Sequence, residues 1–599
     1  MSVKDILAPF SVWKRAFEKP YTSKKPIEER PGADRYRGFH TNDIDMCIGC
    51  GTCETICQNA AIDLVPIEGK DPKHGDSGLR PKIDYGRCCW CALCVDVCPT
   101  GSLGMSNEYI WVDTDPEVFR FVPGKDEMSW NDSEKGYKRA EGYELLEKKR
   151  VEMEIMPLEE GVKSFQELVQ GYSREQAEKE ADRCLECGIC VATCPAHMDV
   201  PGYVGAVRDN DIERGLQIVY ESNPLPASCG RVCTHACEYV CAKNHDDGEA
   251  ISIRWIKRYI ADQIYLADYT GILQSAEADN GKRVAVIGSG PGGMSAAYYL
   301  RLLGYGVTVF DARDLPGGML RYGIPEYRLP YEQINKDIEY IRSLGVEVRQ
   351  DFNVGRDKSF TDLYNEYDAV FFSTGLPNAY TLGVDGEEHP RVLSGVKVLD
   401  DVTAGMDPGV GNKVAVIGGG NVAMDAARTS RRYGADVTIL YRRRIVDMPA
   451  DEEEIHEAEG EAVHIVPQAI PLRIEDGTNG RVKIVWGGAK MVDDGPGRRP
   501  KPVLIEDDVH TEEYDSIISA IGQDADYSFL PEEFAERVKI ERGKVVVDRW
   551  GATGDPKVFA GGDIANPKRD AISAIANGHQ AAKGIDRYLL DSNKTTQKI

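Results

Sequence analysis

The stretch RVAVIGSGPGGMSAAYYLRLLGYGVTVFD, residues 283–311, decides the fold. It reads as a short β-branched strand, a glycine turn, a helix with small residues along it, and a second strand closed by an acid. Gly288 permits the tight turn, Gly290 lets the backbone approach a pyrophosphate, Gly293 allows close helix packing, and Asp311 can accept from a ribose hydroxyl. A second unit, KVAVIGGGNVAMDAARTSRRYGADVTILYRRR at 413–444, repeats the pattern, with Gly418, Gly420 and Asn421 at the turn and Ala423 in the third glycine place. Its acid is missing. Arg442, Arg443 and Arg444 stand there instead, and a guanidinium suits the 2′-phosphate of NADP. NADP(H) is therefore expected over NAD(H). A solvated charge run is the plain alternative, but these arginines directly follow a predicted strand in a nucleotide-binding unit. The regular repeat makes the C-terminal half α/β, with two Rossmann-like domains.

Ahead of these units the chain is punctuated by cysteine. All 17 cysteines lie between Cys47 and Cys241. Cys47, Cys50, Cys53 and Cys57 follow C-x2-C-x2-C-x3-C spacing, and Cys88, Cys91, Cys94 and Cys98 repeat it with Pro99 following. In such double runs three thiolates of one run hold one cubane while the fourth cysteine reaches the other cluster. The expected sets are therefore Cys47, Cys50, Cys53 with Cys98, and Cys88, Cys91, Cys94 with Cys57. Gln58 stands where the motif often has Pro, which is not a ligand. Zinc is the competing metal, but it takes four ligands from two CxxC pairs, and the double triplet fits iron better. Cys184, Cys187, Cys190 and Cys194, then Cys229, Cys233, Cys237 and Cys241, supply thiols for two further clusters. Sixteen cysteines thus serve four 4Fe–4S clusters, and Cys89 is left as a small buried hydrophobe. A disulfide framework belongs to small secreted domains rather than to repeated CxxC spacing in a cytosolic chain.

The remaining composition sets limits. With 599 residues, three to five domains are expected. The net charge of -26 argues against nucleic-acid binding. No apolar run is long enough for a membrane span, and Met1 to Pro20 lacks the apolar core of a secretory signal, so the cytoplasm is expected. The predicted organisation is a ferredoxin-like domain at 1–112, a linker at 113–160 helical near Glu141 to Glu154, an α-helical cluster domain at 161–275, a discontinuous first dinucleotide domain at 281–395 and 515–599, and the second at 396–514.

Several stretches resemble known families. RYRGFH at 35–40, CIGCGTC at 47–53 and IDYGRCCWCALCVDVCPTGSL at 83–103 resemble the two-cluster, ferredoxin-like subunit of respiratory complex I. That resemblance implies a module passing electrons onward. RCLECGICVATCPAHMDVP and NPLPASCGRVCTHACEYVC resemble the glutamate synthase small subunit and the N-terminal part of dihydropyrimidine dehydrogenase. It implies an α-helical domain in which Cys184, Cys187 and Cys190 join Cys241, and Cys194 joins Cys229, Cys233 and Cys237. Relatives place a Gln or Glu ligand where Lys257 stands here; an ammonium cannot ligate iron, so Cys229 takes that role. PGGMLRYGIPEYRLP at 316–330 and VFAGGDIA at 558–565 match segments that surround FAD in the same relatives. The first nucleotide site is thereby assigned to FAD, with Gly318, Met319, Gly562 and Asp563 beside it, Asp563 on the ribityl chain, and the helix from Ala571 aimed at the flavin pyrimidine. FFSTG at 371–375 and SAIGQ at 519–523 match the crossover strands of this layout.

The expected function is a subunit relaying electrons between NAD(P)(H), FAD and the clusters, to or from partner subunits or ferredoxin in a hetero-oligomeric complex. The alternative is a glutamate synthase small subunit feeding an amidotransferase chain that carries FMN. A disulfide reductase needs a redox cysteine pair near the flavin, and no Cys follows Cys241. A self-contained enzyme like dihydropyrimidine dehydrogenase would need a further FMN barrel of roughly 250 residues.

Overall fold

The computed structural model describes residues 13, 15–18, 32–143, 145–495 and 498–596. Its contacts divide the chain into two units, residues 1–149 with 240–250, and residues 150–239 with 251–599.

In the first unit the two cysteine runs are related by their strands. Strand His40–Asn42, ahead of the first run, pairs antiparallel with Leu103–Met105 after the second. Strand Ile62–Pro66, after the first run, pairs antiparallel with Leu79–Asp84, which leads to the second. Each run is thus held at both ends by the strands of the other, around a core that includes Phe39, Ile83, Val95 and Phe121.

Part of the expected linker belongs to this core. Arg120–Phe121 adds a third strand beside Ile83 and Asp84, Trp130 is buried among the same apolar residues, and the Tyr137 hydroxyl donates to Asp96 at 2.8 Å. The helix expected near Glu141 to Glu154 is absent among the described residues. Its backbone is used elsewhere: Lys148 O accepts from Glu249 N at 2.9 Å, Val151 N donates to Glu180 at 2.7 Å, and Glu154 O accepts from Gln170 N at 2.9 Å. Tertiary pairing overrides the helix propensity of a Glu- and Lys-rich segment.

In the second unit a helical region precedes two parallel sheets. Helix Arg174–Asp182 starts at a capping box formed by Ser173 and Gln176. Cys190 lies on helix Ile189–Thr193 and Cys229 on helix Pro226–Val232. Asp337, on helix Tyr331–Ser343, accepts from Ala227 N at 3.1 Å and Ser228 N at 2.8 Å. The free N–H groups of a cysteine-bearing helix are therefore satisfied by a carboxylate from the dinucleotide region.

The first sheet has the parallel order Val558–Ala560, Ala369–Phe372, Arg283–Ile287, Gly306–Phe310, Glu347–Arg349. The second has the parallel order Val392–Ser394, Ser516–Ser519, Lys413–Ile417, Asp436–Tyr441, His464–Pro467. Val392–Ser394 and Ser516–Ser519, expected within the first dinucleotide domain, pair into the second sheet because their partners run through Lys413–Ile417. Strand Lys413–Ile417 is buried on both faces from Val414 onward, as a parallel strand covered by helices must be. Each such buried Val or Ile contributes about 1.5–3 kcal/mol. A three-stranded antiparallel sheet, Ala469–Asp476, Val482–Val492 and Lys501–Tyr514, extends this domain. No helix of the described residues is long and apolar enough to cross a membrane.

Candidate dinucleotide cleft and iron–sulfur ligand sets

Both glycine turns open on one cleft of about 1380 Å³. On its first side Gly290 precedes helix Pro291–Leu302, with Pro at the first turn, so the N–H groups at the helix start face the cavity. A Cβ on Gly318, whose φ is +55°, would lie 2.8 Å from Gly290 Cα. Two glycines thus let the 316–319 segment touch the pyrophosphate turn. Asp311 Oδ2 accepts from Ser289 N at 2.6 Å and Ser289 Oγ at 2.5 Å, which turns the carboxylate toward the glycine turn. Met319 and Asp563 line the same cleft. Burial pushes the Asp563 carboxyl up to about 6, against the pull of Arg569 and Lys544 and with Asp570 adding to the rise. Thr374 Oγ1 is buried against the cleft without a partner among the described residues. A cradle closed by glycines, a helix N-terminus and an orphan hydroxyl fit a dinucleotide such as FAD.

On the second side a Cβ on Gly418 would lie 2.2 Å from Ala520 O, and Gly420 precedes helix Asn421–Arg432. Asn421 lines the cleft while its Oδ1 accepts from Asp451 N at 2.9 Å. The arginine triplet divides. Arg442 and Arg443 line the cleft, and Arg443 Nε donates to Pro500 O at 2.9 Å. Arg444 pairs with Asp447 at 2.8 and 2.9 Å and does not line it. Ser519 Oγ is a second buried hydroxyl without a described partner at this wall. The paired guanidiniums and orphan hydroxyl fit a phosphorylated nicotinamide dinucleotide.

Four expected site residues stand behind the lining. A Cβ on Gly288 would meet Ser373 O at 2.4 Å, one on Gly293 would meet Gly288 O at 1.9 Å, and one on Gly562 would meet Ser373 Oγ at 2.6 Å. Ala423 is fully buried. These residues shape the turns rather than face the cavity. Arg499, Lys544 and Arg569 line the cleft without belonging to any motif; the basic pairs Arg498–Arg499 and Lys568–Arg569 are the sequence trace of two of them, and Lys544 has none.

The cysteine runs share a backbone device. The residues just before and after the middle cysteine have positive φ in all three CxxCxxC loops: Gly49 and Gly51, Trp90 and Ala92, Glu186 and Gly188. Three loops of unrelated side chains thus take one conformation. Burial raises the Cys53 thiol well above its ordinary value, and Cys50, Cys94, Cys47 and Cys98 add to the rise. Cys94 is raised by burial and by Cys88, Cys91 and Cys57. Each run therefore has the last cysteine of the other among its neighbours. Amide donors reach the sulfurs: Ala61 N to Cys57 at 3.3 Å and Trp90 N to Cys88 at 3.4 Å. His40 Nε2 lies 3.3 Å from Cys94 Sγ, with Nδ1 held by the Tyr85 hydroxyl at 2.7 Å. In the second unit Cys237 feels Cys233 and Cys194, and Cys194 feels Cys233. Convergent thiols with N–H donors to sulfur, and positive-φ loops, suit iron–sulfur clusters. Cys89 is exposed, contrary to the buried role expected for it.

Comparisons with known proteins agree with these features. The family model for pyridine nucleotide-disulphide oxidoreductase matches residues 282–582. The model for dihydropyrimidine dehydrogenase domain II, 4Fe–4S cluster, matches 161–268, and that for a 4Fe–4S dicluster domain matches 46–102. The NADP(+)-dependent formate dehydrogenase subunit beta of Moorella thermoacetica is 39% identical over 431 residues, 67% of this chain and 60% of the relative. The NADPH-Fe(3+) oxidoreductase subunit beta of Geobacter sulfurreducens is 35% identical, over 67% of this chain and 63% of the relative. The chain thus spans under two thirds of the length of these two. The glutamate synthase [NADPH] small chain of Escherichia coli is 33% identical over 485 residues, 75% of this chain and 98% of the relative. With one family model over half its length and that small chain covered almost end to end, the chain belongs to the pyridine nucleotide-disulphide oxidoreductase family, as an iron–sulfur flavoprotein similar to the glutamate synthase small chain.

Proposed function

We propose that the chain is the flavin- and cluster-carrying subunit of a cytoplasmic NADP(H)-linked oxidoreductase, exchanging electrons between the nicotinamide, FAD and four 4Fe–4S clusters with a partner subunit or ferredoxin. The observation that carries this reading is the single cleft lined by both glycine turns, which gives the nicotinamide and the flavin a common cavity. When bound, FAD supplies exchange of a hydride with the nicotinamide and of single electrons with the clusters. The chain's own residues bind and orient. Gly290 and Gly318 admit the pyrophosphate, Asp311 accepts from the adenosine ribose, and Asp563 from the ribityl chain. Arg442 and Arg443 hold the 2′-phosphate. The thiolates of Cys47, Cys50, Cys53 and Cys98, of Cys88, Cys91, Cys94 and Cys57, of Cys184, Cys187, Cys190 and Cys241, and of Cys194, Cys229, Cys233 and Cys237 hold the clusters. No acid–base residue is required.

The names of the relatives support both the nicotinamide and the partner, since each is a beta subunit or small chain with NADP or NADPH in its name. A second reading, the small subunit of a glutamate synthase, is favoured by the 98% coverage of the Escherichia coli small chain. Anaerobic purification with metal and flavin analysis tests the proposal. About sixteen irons and one FAD per chain, with flavin bleached by NADPH, is the expected result. Zinc in place of iron, or a flavin that neither NADPH nor NADH reduces, would overturn it. A co-purifying glutamine amidotransferase chain would select the second reading.

A further inference from the structure

Helix Ile253–Gln263 packs against helix Pro226–Val232, which carries Cys229. The buried cations on these two helices are paired with carboxylates, with one exception. Arg254 reaches Glu453 at 2.6 Å, Arg258 reaches Glu167 at 3.1 Å, and Arg231 reaches Asp262 at 3.0 Å. Lys257, only 3% exposed, has no carboxylate at ion-pair distance among the described residues. Its Nζ donates instead to Cys229 Sγ at 3.3 Å. Cys233, Cys194 and Cys237 lie within electrostatic reach of the same ammonium. A fully buried ammonium is costly unless it faces an anion. Four sulfurs converge where that anion must be, and a cluster held by four thiolates carries net negative charge.

We propose that Lys257 is a positioning residue that tunes the cluster held by Cys194, Cys229, Cys233 and Cys237, its ammonium donating to the Cys229 sulfur and favouring the reduced state. Reduction adds one electron, supplied by NAD(P)H through the relay. No bond forms or breaks and no proton moves, because the lysine carries its charge in both states. The added negative charge lies beside a fixed positive one in a medium of low polarity, where their attraction is strong. The inference rests on the four-cysteine reading of this cluster.

EPR-monitored redox titration of the holoprotein tests it, with Lys257→Leu to remove the charge and Lys257→Arg to keep it. In the Leu variant one midpoint falls, the ratio of reduced to oxidised cluster at a fixed potential dropping at least about tenfold, or about 59 mV, while the other midpoints hold. The Arg variant stays near wild type. Wild-type protein labelled with ¹⁵N-lysine gives a nitrogen coupling to a reduced cluster in pulsed EPR. Unmoved midpoints in an iron-replete Leu variant, or equal shifts in both variants, overturn the proposal. Should the Leu variant fail to assemble its cluster, the labelled wild type decides, and no lysine coupling at any reduced cluster overturns it. Wild-type protein without iron would instead remove the cluster reading itself.

Discussion

Arg328 Nη1 lies 2.7 Å from Asp425 Oδ1 and 2.8 Å from Oδ2, joining the segment after the first-side glycines to the helix of the second dinucleotide unit. Asp425 is buried and Arg328 is 13% exposed, and Arg328 also reaches Glu454. Arg428 holds Glu454 at 2.9 Å and Glu461 at 2.8 Å, and Arg432 holds Glu461 at 2.7 Å while lying 3.5 Å over the Tyr327 ring. One buried ionic network therefore fixes the second dinucleotide domain against the 325–330 segment.

Replacing Arg328 by Met leaves Asp425 and Glu454 without their shared cation, and breaking such a buried pair costs about 3–5 kcal/mol. Burial already raises the Asp425 carboxyl to about 6. The folded state then keeps a proton that the unfolded chain releases near its ordinary value, so this group's contribution to stability falls as pH rises through that interval. Loss of the arginine raises the pKa further. Chemical unfolding should show a larger deficit for the variant at about pH 8 than at about pH 5.5; equal deficits would mean the carboxylate charge is immaterial.

The crossed cysteine sets predict an asymmetric defect. Cys57→Ser removes a thiol from the cluster of Cys88, Cys91 and Cys94, although Cys57 belongs to the first run. Bound iron should fall by up to about four per chain, with one EPR signal lost and that of the set containing Cys98 retained. Loss of the signal from the set containing Cys47, with the other intact, would rule out the crossing.

Gly318 combines a φ of +55° with a Cβ position 2.8 Å from Gly290 Cα. Gly318→Val puts a β-branched residue at φ +55°, ψ -135°, a conformation essentially confined to glycine, at a cost of about 1–3 kcal/mol, and fills the gap beside the pyrophosphate turn. Flavin absorbance retained after gel filtration should drop about tenfold or more with far-UV circular dichroism unchanged. A variant that keeps its full flavin would move the cofactor elsewhere.

The divided arginine triplet ranks three substitutions. Arg442→Ala and Arg443→Ala should each raise KM for NADPH about tenfold while leaving KM for NADH within about twofold. Arg444→Ala should do neither, since its guanidinium is taken by Asp447. Steady-state kinetics with both nucleotides separates these outcomes.

Short-range spacing made the turns and cysteine runs readable. Gly293 packs on Gly288 O within its own turn, the cysteine loops need only their own positive-φ residues, and Gly288 and Gly418, although they meet Ser373 O and Ala520 O across the sheet, are marked by the spacing of the turn itself. Long-range choices left no such trace. Trp130 and Phe121 join the first core from a segment whose composition reads as linker. Glu141 to Glu154 has helical composition, but its amides and carbonyls bond to residues such as Gln170, Glu180 and Glu249. The family resemblance puts Lys257 at a ligand position and gives its role to Cys229, but the contact of its Nζ with Cys229 Sγ is made only by the packing of two helices. Arg444 and Arg443 are alike in sequence, and only the fold brings Asp447 onto Arg444.

The central claim is a relay from nicotinamide through flavin to clusters, and single-turnover stopped-flow tests it most directly. Anaerobic holoprotein mixed with one equivalent of NADPH should lose flavin absorbance first, with cluster absorbance falling afterwards as the flavin band recovers. Flavin that stays reduced while the clusters remain oxidised, or clusters that bleach with no flavin phase, would contradict the account.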